Sequence, residues 1–374
     1  MRKLSVIVVF FIFSEIFFVN IVSAQKENVL LHPDKFYKKF FPNLRIKNKK
    51  PFDSLYIKTY PNYLSVGTHF LLPKIYLDIN SPHSNGAGGS VSSNFRTNVS
   101  DIIGFSASYR FVTAGFALAL NSNIAKNEGY AHTSYHTATI KYNGPKYSLQ
   151  FRYMKIVGLT DINESNNQDT SHRYINREDI SIKEFQFEGI YNFGWKKYSY
   201  TAPIDYFQRQ LKSRVGILLK AGVYYNQVQG DSNLLSGSQR AYFDNFDNVL
   251  EIVNYNVKVA PGVGGNLVFL RKFYLSAAVF TPYNLCFNKL YTYDEKLISN
   301  ATSILITLDG VVSLGYQSKR LYAGIKYQAD SKRANFGNYS VNTLYSYFGM
   351  DVGYRFIAPK ILKKIYKKTM PPGM

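Results

Sequence analysis

Charged residues recur at alternate positions inside otherwise apolar stretches of this chain: Arg110, Lys141, Arg152, Glu184, Glu188, Lys220, Lys258, Asp309, Lys326, Asp351 and Arg355. Side chains alternate across a strand, so each of these charges points away from the apolar residues on either side of it. If the apolar face meets lipid, the charged face must meet water or opposite charge. Such a lining suits the binding or passage of a small polar solute, and a basic surplus favours an anion. The same lining can also close on itself through ion pairs and carry nothing. Other chemistry finds less support. His83, Ser84, Asn85 and Gly86 bring together residue types used in hydrolysis, but adjacent His and Ser point to opposite faces of a strand, and the stretch follows Pro82 in a loop rich in Gly and Ser. His132 and His136 are four apart, a helical spacing where a strand is expected. Cys286 is the single cysteine, and the chain has no glycine-rich phosphate loop. No catalytic residues, metal ligands or cofactor are therefore expected.

The elements that must position these charges are strands. The final one is typical: Met350, Val352, Tyr354 and Phe356 share one face, and Gly349, Asp351, Gly353 and Arg355 the other. The same period of two runs from residue 73 onward with no helix to cover the apolar faces. The chain holds 32 Tyr and 28 Phe, yet its mean hydropathy is −0.18. Abundant aromatics without overall hydrophobicity fit strands that alternate between lipid and lumen, and exclude a bundle of membrane helices. Net charge is +21 from 45 basic and 24 acidic residues. No recognition motif accompanies that charge, so nucleic acid is not an expected partner.

Alternation predicts a transmembrane antiparallel β-barrel of about twelve strands, within a range of 10–14. Ile75, Leu77 and Ile79 are assigned to the lipid face of the first strand, which leaves the strand-like residues 63–71 over. Odd positions of 215–225 and of 263–269, and even positions of 306–314, are assigned outward as well. Between strands the junctions alternate, short at 110–113, 143–146, 270–273 and 317–320, and longer at 81–100, 123–132, 156–180, 228–254, 283–303 and 329–344. Short periplasmic turns and long outer loops are what such barrels have. Residues 194–213 break the alternation. They form either a strand extension broken by Pro203, the favoured assignment, or a segment folded into or under the lumen.

At the N-terminus, Arg2 and Lys3 precede an apolar run and Val22, Ser23 and Ala24, which predicts a signal peptide over 1–24. A basic periplasmic leader (25–62), the barrel (63–356) and a basic tail (357–374) follow. The run Asp53, Ser54, Leu55, Tyr56 with Pro61 and the alternating strand behind it resembles an uncharacterised outer-membrane β-barrel family of Bacteroidetes-type bacteria, a domain family of unknown function. Residues 103–116, 184–200 and 208–225 extend the resemblance over most of the mature chain. Tyr354 and Phe356 resemble the C-terminal signal by which Gram-negative barrels are handed to the barrel-assembly machinery. The resemblance implies the fold, outer-membrane lipid as surroundings, and little about activity. A porin-like channel or binding barrel for small polar or anionic solutes is the expected role. The alternatives are a non-transporting structural or adhesion barrel and, remotely, a barrel hydrolase.

Overall fold

The computed structural model describes residues 52–84, 90–120, 129–144, 146–163, 174–235, 237–243, 248–292, 297–336 and 339–369. The expected signal peptide, the leader up to Pro51, the Asn85–Gly86 end of the histidine motif and the last residues of the tail lie outside them.

The first strands are β1 (Ile57–Thr59), β2 (Tyr63–Ser84), β3 (Ser90–Arg96), β4 (Ile102–Tyr109), β5 (Val112–Ala119) and β6 (Ser134–Asn143). Next come β7 (Tyr147–Asp161), β8 (Ile175–Asn192), β9 (Gln208–Gln210), β10 (Arg214–Gln229), β11 (Val249–Phe269) and β12 (Phe273–Phe280). The last are β13 (Tyr283–Thr292), β14 (Leu297–Ile306), β15 (Asp309–Gln317), β16 (Leu321–Phe336) and β17 (Tyr339–Ile357). A separate unit contains helix α1 (Lys360–Thr369), amphipathic and rich in lysine.

Twelve strands pair in a closed antiparallel ring, β2-β4-β5-β6-β7-β8-β10-β11-β12-β15-β16-β17, and β17 returns to β2. That last ladder runs from Ile357 opposite Tyr63 to Ser340 opposite Asn80, so the first and last ring strands pair with each other and close the wall. Strand β13 continues β12 on the same partner: Val263 pairs Val279 and Val259 pairs Tyr283. The break falls at Pro282, which has no N–H to donate to a ladder. Away from the short turns, β3 takes the place of β4, β5 and β6, pairing with β2 through residues 76–80 and with β7 through Phe95 and Arg96. There, among the described residues, no ladder joins β14 to β16. Asn288 Nδ2 instead donates to the Asn335 carbonyl at 3.1 Å and Cys286 Sγ to that of Arg333 at 3.6 Å.

Strand polarity changes phase along the barrel. Nearest the short turns, the apolar residues point outward: Val215 and Ile217 are 80% and 63% exposed, while Leu218 and Lys220 behind them are buried. Toward the long loops the phase inverts. Ile75, Leu77 and Ile79 are 2%, 1% and 0% exposed and point inward, and Lys74, Tyr76 and Asp78 take the outer face. This corrects the outward assignment of Ile75, Leu77 and Ile79. The 22-residue β2 is one continuous strand of about 70 Å, whereas a bilayer's apolar band is only about 25 Å tall. Beyond the bilayer the outside meets water and the inside becomes the core, so the hydrophobic set moves from even to odd positions at Pro73. Residues 63–71, left over by alternation, are the lipid-facing half of that strand.

Aromatic rows mark both borders of the outward apolar band. Toward the long loops, Tyr153, Phe185, Tyr225 and Tyr255 lie on adjacent strands with successive ring centroids 4.8, 6.1 and 5.2 Å apart. At the other border Tyr142 meets Tyr147 at 5.7 Å, Phe269 meets Phe273 at 5.9 Å and Tyr354 meets Phe356 at 4.8 Å. Two girdles enclosing an apolar outer surface are what a bilayer asks of a closed barrel.

Candidate functional site

Inside the ring the side chains form three layers. The layer at the long-loop end is apolar: Ile75, Leu77 and Ile79 of β2, Met154 and Ile156 of β7, Ile180 and Ile182 of β8, and Val228 of β10 pack with Phe95, Leu234 and Phe243 from β3 and the loops. The middle layer is charged. Lys220 and Lys258 approach the same oxygen of Asp309, at 3.3 and 3.0 Å, and Lys220 lies 3.8 Å from Glu188. Arg152 binds Glu184 at 2.9 Å, and Lys332 binds the other oxygen of Glu184. Because β8 and β16 lie nearly opposite in the ring, the Glu184 to Lys332 pair crosses the lumen. So does the hydrogen bond between the Tyr135 and Tyr345 hydroxyls at 3.2 Å. Lys326 reaches Asp351 Oδ2 at 3.0 Å, while His69 Nδ1 meets Asp351 Oδ1 at 2.6 Å.

The layer at the short-turn end is made by residues 194–213, which fold into the lumen mouth rather than extend a strand. This corrects the favoured assignment of that segment. Its strand β9 pairs with β1, with Ile57 opposite Gln210 and Thr59 opposite Gln208. Asp205 binds Lys141 at 2.6 Å. The Tyr206 ring stacks on Tyr322 with centroids 4.4 Å apart, and its hydroxyl donates to Asp351 Oδ2 at 3.2 Å. Arg355 donates to the Tyr206 carbonyl at 2.6 Å and to that of Ser318 at 2.8 Å. Tyr198 lies against wall glycines: a Cβ on Gly216 would fall 2.3 Å from its ring, and one on Gly264 2.2 Å from its hydroxyl. Inward glycines are thus sockets for the plug's aromatic residues.

Between plug and apolar layer lies a cavity of about 200 Å³, lined by Lys141, Arg152, Lys220, Lys258, Lys326 and Lys332 together with Glu188, Asp205 and Asp330. A neighbouring cavity of about 150 Å³ is lined by His69, Ser106, Lys141, Tyr206 and Lys326 among others. Of the residues singled out by sequence, Lys141, Arg152, Glu184, Glu188, Lys220, Lys258, Asp309, Lys326, Asp351 and Arg355 lie on the inner side of the wall. Arg110 does not lie on the strand wall. It occupies the tight turn after β4 with φ 51°, a correction to its lumen-lining assignment. Tyr354 and Phe356 end β17 on the outer side.

Sequence reasoning missed His69, Asp205, Asp330 and Lys332. His69 lies in the leftover half of β2, Asp205 in the plug, and Asp330 and Lys332 in a stretch assigned to an outer loop that is in fact β16. The only signal for the last two is that period-two alternation continues from Lys326 through Gln328. Their addition changes the electrostatics. The inward bases Lys141, Arg152, Lys220, Lys258, Lys326, Lys332 and Arg355 are nearly matched by Glu184, Glu188, Asp205, Asp309, Asp330 and Asp351, so the expected cationic surplus is mostly paired.

A family profile described as "Domain of unknown function (DUF4421)" matches residues 51–356. No curated protein matches the chain. Among solved structures, the translocator domain of the autotransporter NalP from Neisseria meningitidis is 12% identical with a TM-score of 0.38, over 87% of this chain and 98% of that one. The outer membrane protease OmpT from Escherichia coli is 10% identical with a TM-score of 0.33, over 80% and 98%. An outer membrane channel from Pseudomonas putida is 12% identical with a TM-score of 0.34, over 80% and 97%. At this level of likeness no activity carries over.

Proposed function

This chain belongs to the DUF4421 family, a domain of unknown function, and we propose that it is an outer-membrane barrel whose lumen binds a small polar, anionic solute in a chamber closed at rest. The observation that supports this is the central cavity itself. Its lysines and Arg152 converge between an apolar layer and a plug, each held by a carboxylate that an incoming anion can compete with. Passage then requires the plug to move, since Tyr198, Asp205 and Tyr206 tie it to the wall. Delivery by the barrel-assembly machinery through Tyr354 and Phe356 belongs to the same proposal.

Planar-bilayer recording tests it. Wild type should carry no steady current, and deletion of residues 199–207 should open a conductance that Lys220→Glu with Lys258→Glu shifts away from anions. The cross-lumen ties favour a second reading, a non-transporting structural barrel. Under that reading the deletion variant stays folded and silent, and wild type binds no sulfate or phosphate by titration calorimetry. Steady current through the wild type would overturn closure at rest.

A further inference from the structure

We propose that Ser106, His69 and Asp351 form a hydrolytic triad inside the barrel, with Ser106 as nucleophile toward short-chain carboxylic esters. Ser106 Oγ lies 2.8 Å from His69 Nε2, and His69 Nδ1 lies 2.6 Å from Asp351 Oδ1. A carboxylate only accepts hydrogen bonds, so in the neutral ring Nδ1 carries the proton. Nε2 is then the acceptor and Ser106 Oγ–H its donor, the orientation a general base requires. The second carboxylate oxygen is held separately, by Lys326 at 3.0 Å and by the Tyr206 hydroxyl at 3.2 Å, which leaves Oδ1 to His69.

The strands place the trio without help from loops. Ser106 stands on β4, with Gly67 of β2 and Gly115 of β5 directly opposite it on the two sides. On the Gly115 side no side chain flanks the serine, while on the Gly67 side the Tyr322 hydroxyl fills the place of the missing side chain, 2.5 Å from where a Cβ would stand. His69 faces Gly104 across the β2–β4 ladder, and a Cβ there would lie 3.5 Å from the imidazole. Asp351 is opposite His69 on β17. The hydroxyl and the imidazole both border the cavity of about 150 Å³, whose size suits a short acyl group rather than a lipid chain.

The reaction balances with ester and water alone. Ser106 Oγ bonds to the acyl carbon as its proton passes to His69 Nε2 and the carbonyl electron pair moves onto oxygen. Collapse restores the carbonyl and breaks the bond to the alcohol, which leaves with the proton from Nε2. Water attacks the acyl-serine by the same path, releasing a carboxylic acid and regenerating Ser106. Asp351 acts as a positioning residue for the imidazole.

The test uses the refolded full chain in detergent micelles, with a small fluorophosphonate and p-nitrophenyl acetate as probes. Wild type should form a single phosphonate adduct on Ser106, located by peptide mass spectrometry, and hydrolyse the acetate faster than the decanoate. Ser106→Ala should lose adduct and turnover, and His69→Gln should slow labelling by about 100-fold or more, while both keep heat-modifiable migration. Asp351→Asn should lower kcat with KM unchanged. To separate access from chemistry, labelling is repeated on Tyr198→Ala, which loosens the plug away from the trio. No adduct on Ser106 in either wild type or Tyr198→Ala, or equal turnover in wild type and Ser106→Ala, would overturn the proposal and leave the trio a structural clamp. Anion binding or conductance is untouched by either result, so this inference and the solute chamber fail separately.

Discussion

Asp309 accepts two lysines on one oxygen, Lys220 and Lys258, and its other oxygen has no hydrogen-bond partner among the described residues. All three groups are buried, so the carboxylate is what keeps two ammonium groups tolerable side by side. Asp309→Asn should therefore destabilise the barrel by about 3–5 kcal/mol, the usual result of removing one partner from a buried ionic cluster. Denaturant titration of the folded band on unheated gels measures this, and adding Lys220→Met with Lys258→Met should recover much of the loss. An Asp309→Asn midpoint equal to wild type would show that water reaches the lysines. The inward charges on regular strands, such as Lys220 and Asp351, are legible from sequence because alternation is all they need. His69 is not, because its neighbours Thr68 and Phe70 belong to a half-strand whose hydrophobic phase disagrees with the residues after Pro73. Its partners Ser106 and Asp351 are also distant in sequence, and only ring closure brings them together.

At the scale of elements, the plug is the departure from plain barrel design. Polar and aromatic residues in 194–213 read equally as a turn, since nothing local tells a solvated loop from one that docks into the lumen. Its complement lies elsewhere in the chain, in the glycines of β10, β11 and β16 that receive its tyrosines. Those glycines mark inner-face positions in the sequence, but the rings that fill them do not show. Gly216→Ala would place a methyl group within 2.3 Å of the Tyr198 ring, near its rigid inner atoms. The expected cost is about 1–3 kcal/mol from overpacking. Limited trypsin digestion should then cut after Lys196 or Lys197 in Gly216→Ala sooner than in wild type, with the ring strands still protected. Unchanged cleavage would mean that the plug does not depend on this socket.

For the whole molecule, twelve-strand closure was legible, because outward alternation near the short turns is strong and the junction lengths alternate. The extent of the strands beyond the bilayer was not, since the inverted phase imitates loops and separate strands. Phe356, 50% exposed on the outer end of β17, pairs with Leu64 where the ring seals. Phe356→Asp puts a charge into the girdle and into the closing ladder together. It should strip the membrane fraction of heat-modifiable barrel and leave protein open to periplasmic proteases, measured by fractionation and immunoblot. Normal membrane yields would place the assembly signal elsewhere in the chain. The inversion at Pro73 also gives the barrel only one comfortable height. Sliding down by one side-chain pair, about 7 Å, would bring Lys155 and Lys183 to the depth where Tyr153 and Phe185 now stand and draw Lys74 toward the hydrocarbon. Each lysine costs up to about 1 kcal/mol at that border, rising toward about 2–4 kcal/mol at the midplane with each further step. Sliding up would lift Phe356 and the lower girdle off their headgroups. The protein carries its own waterline, and the membrane must fit itself to it.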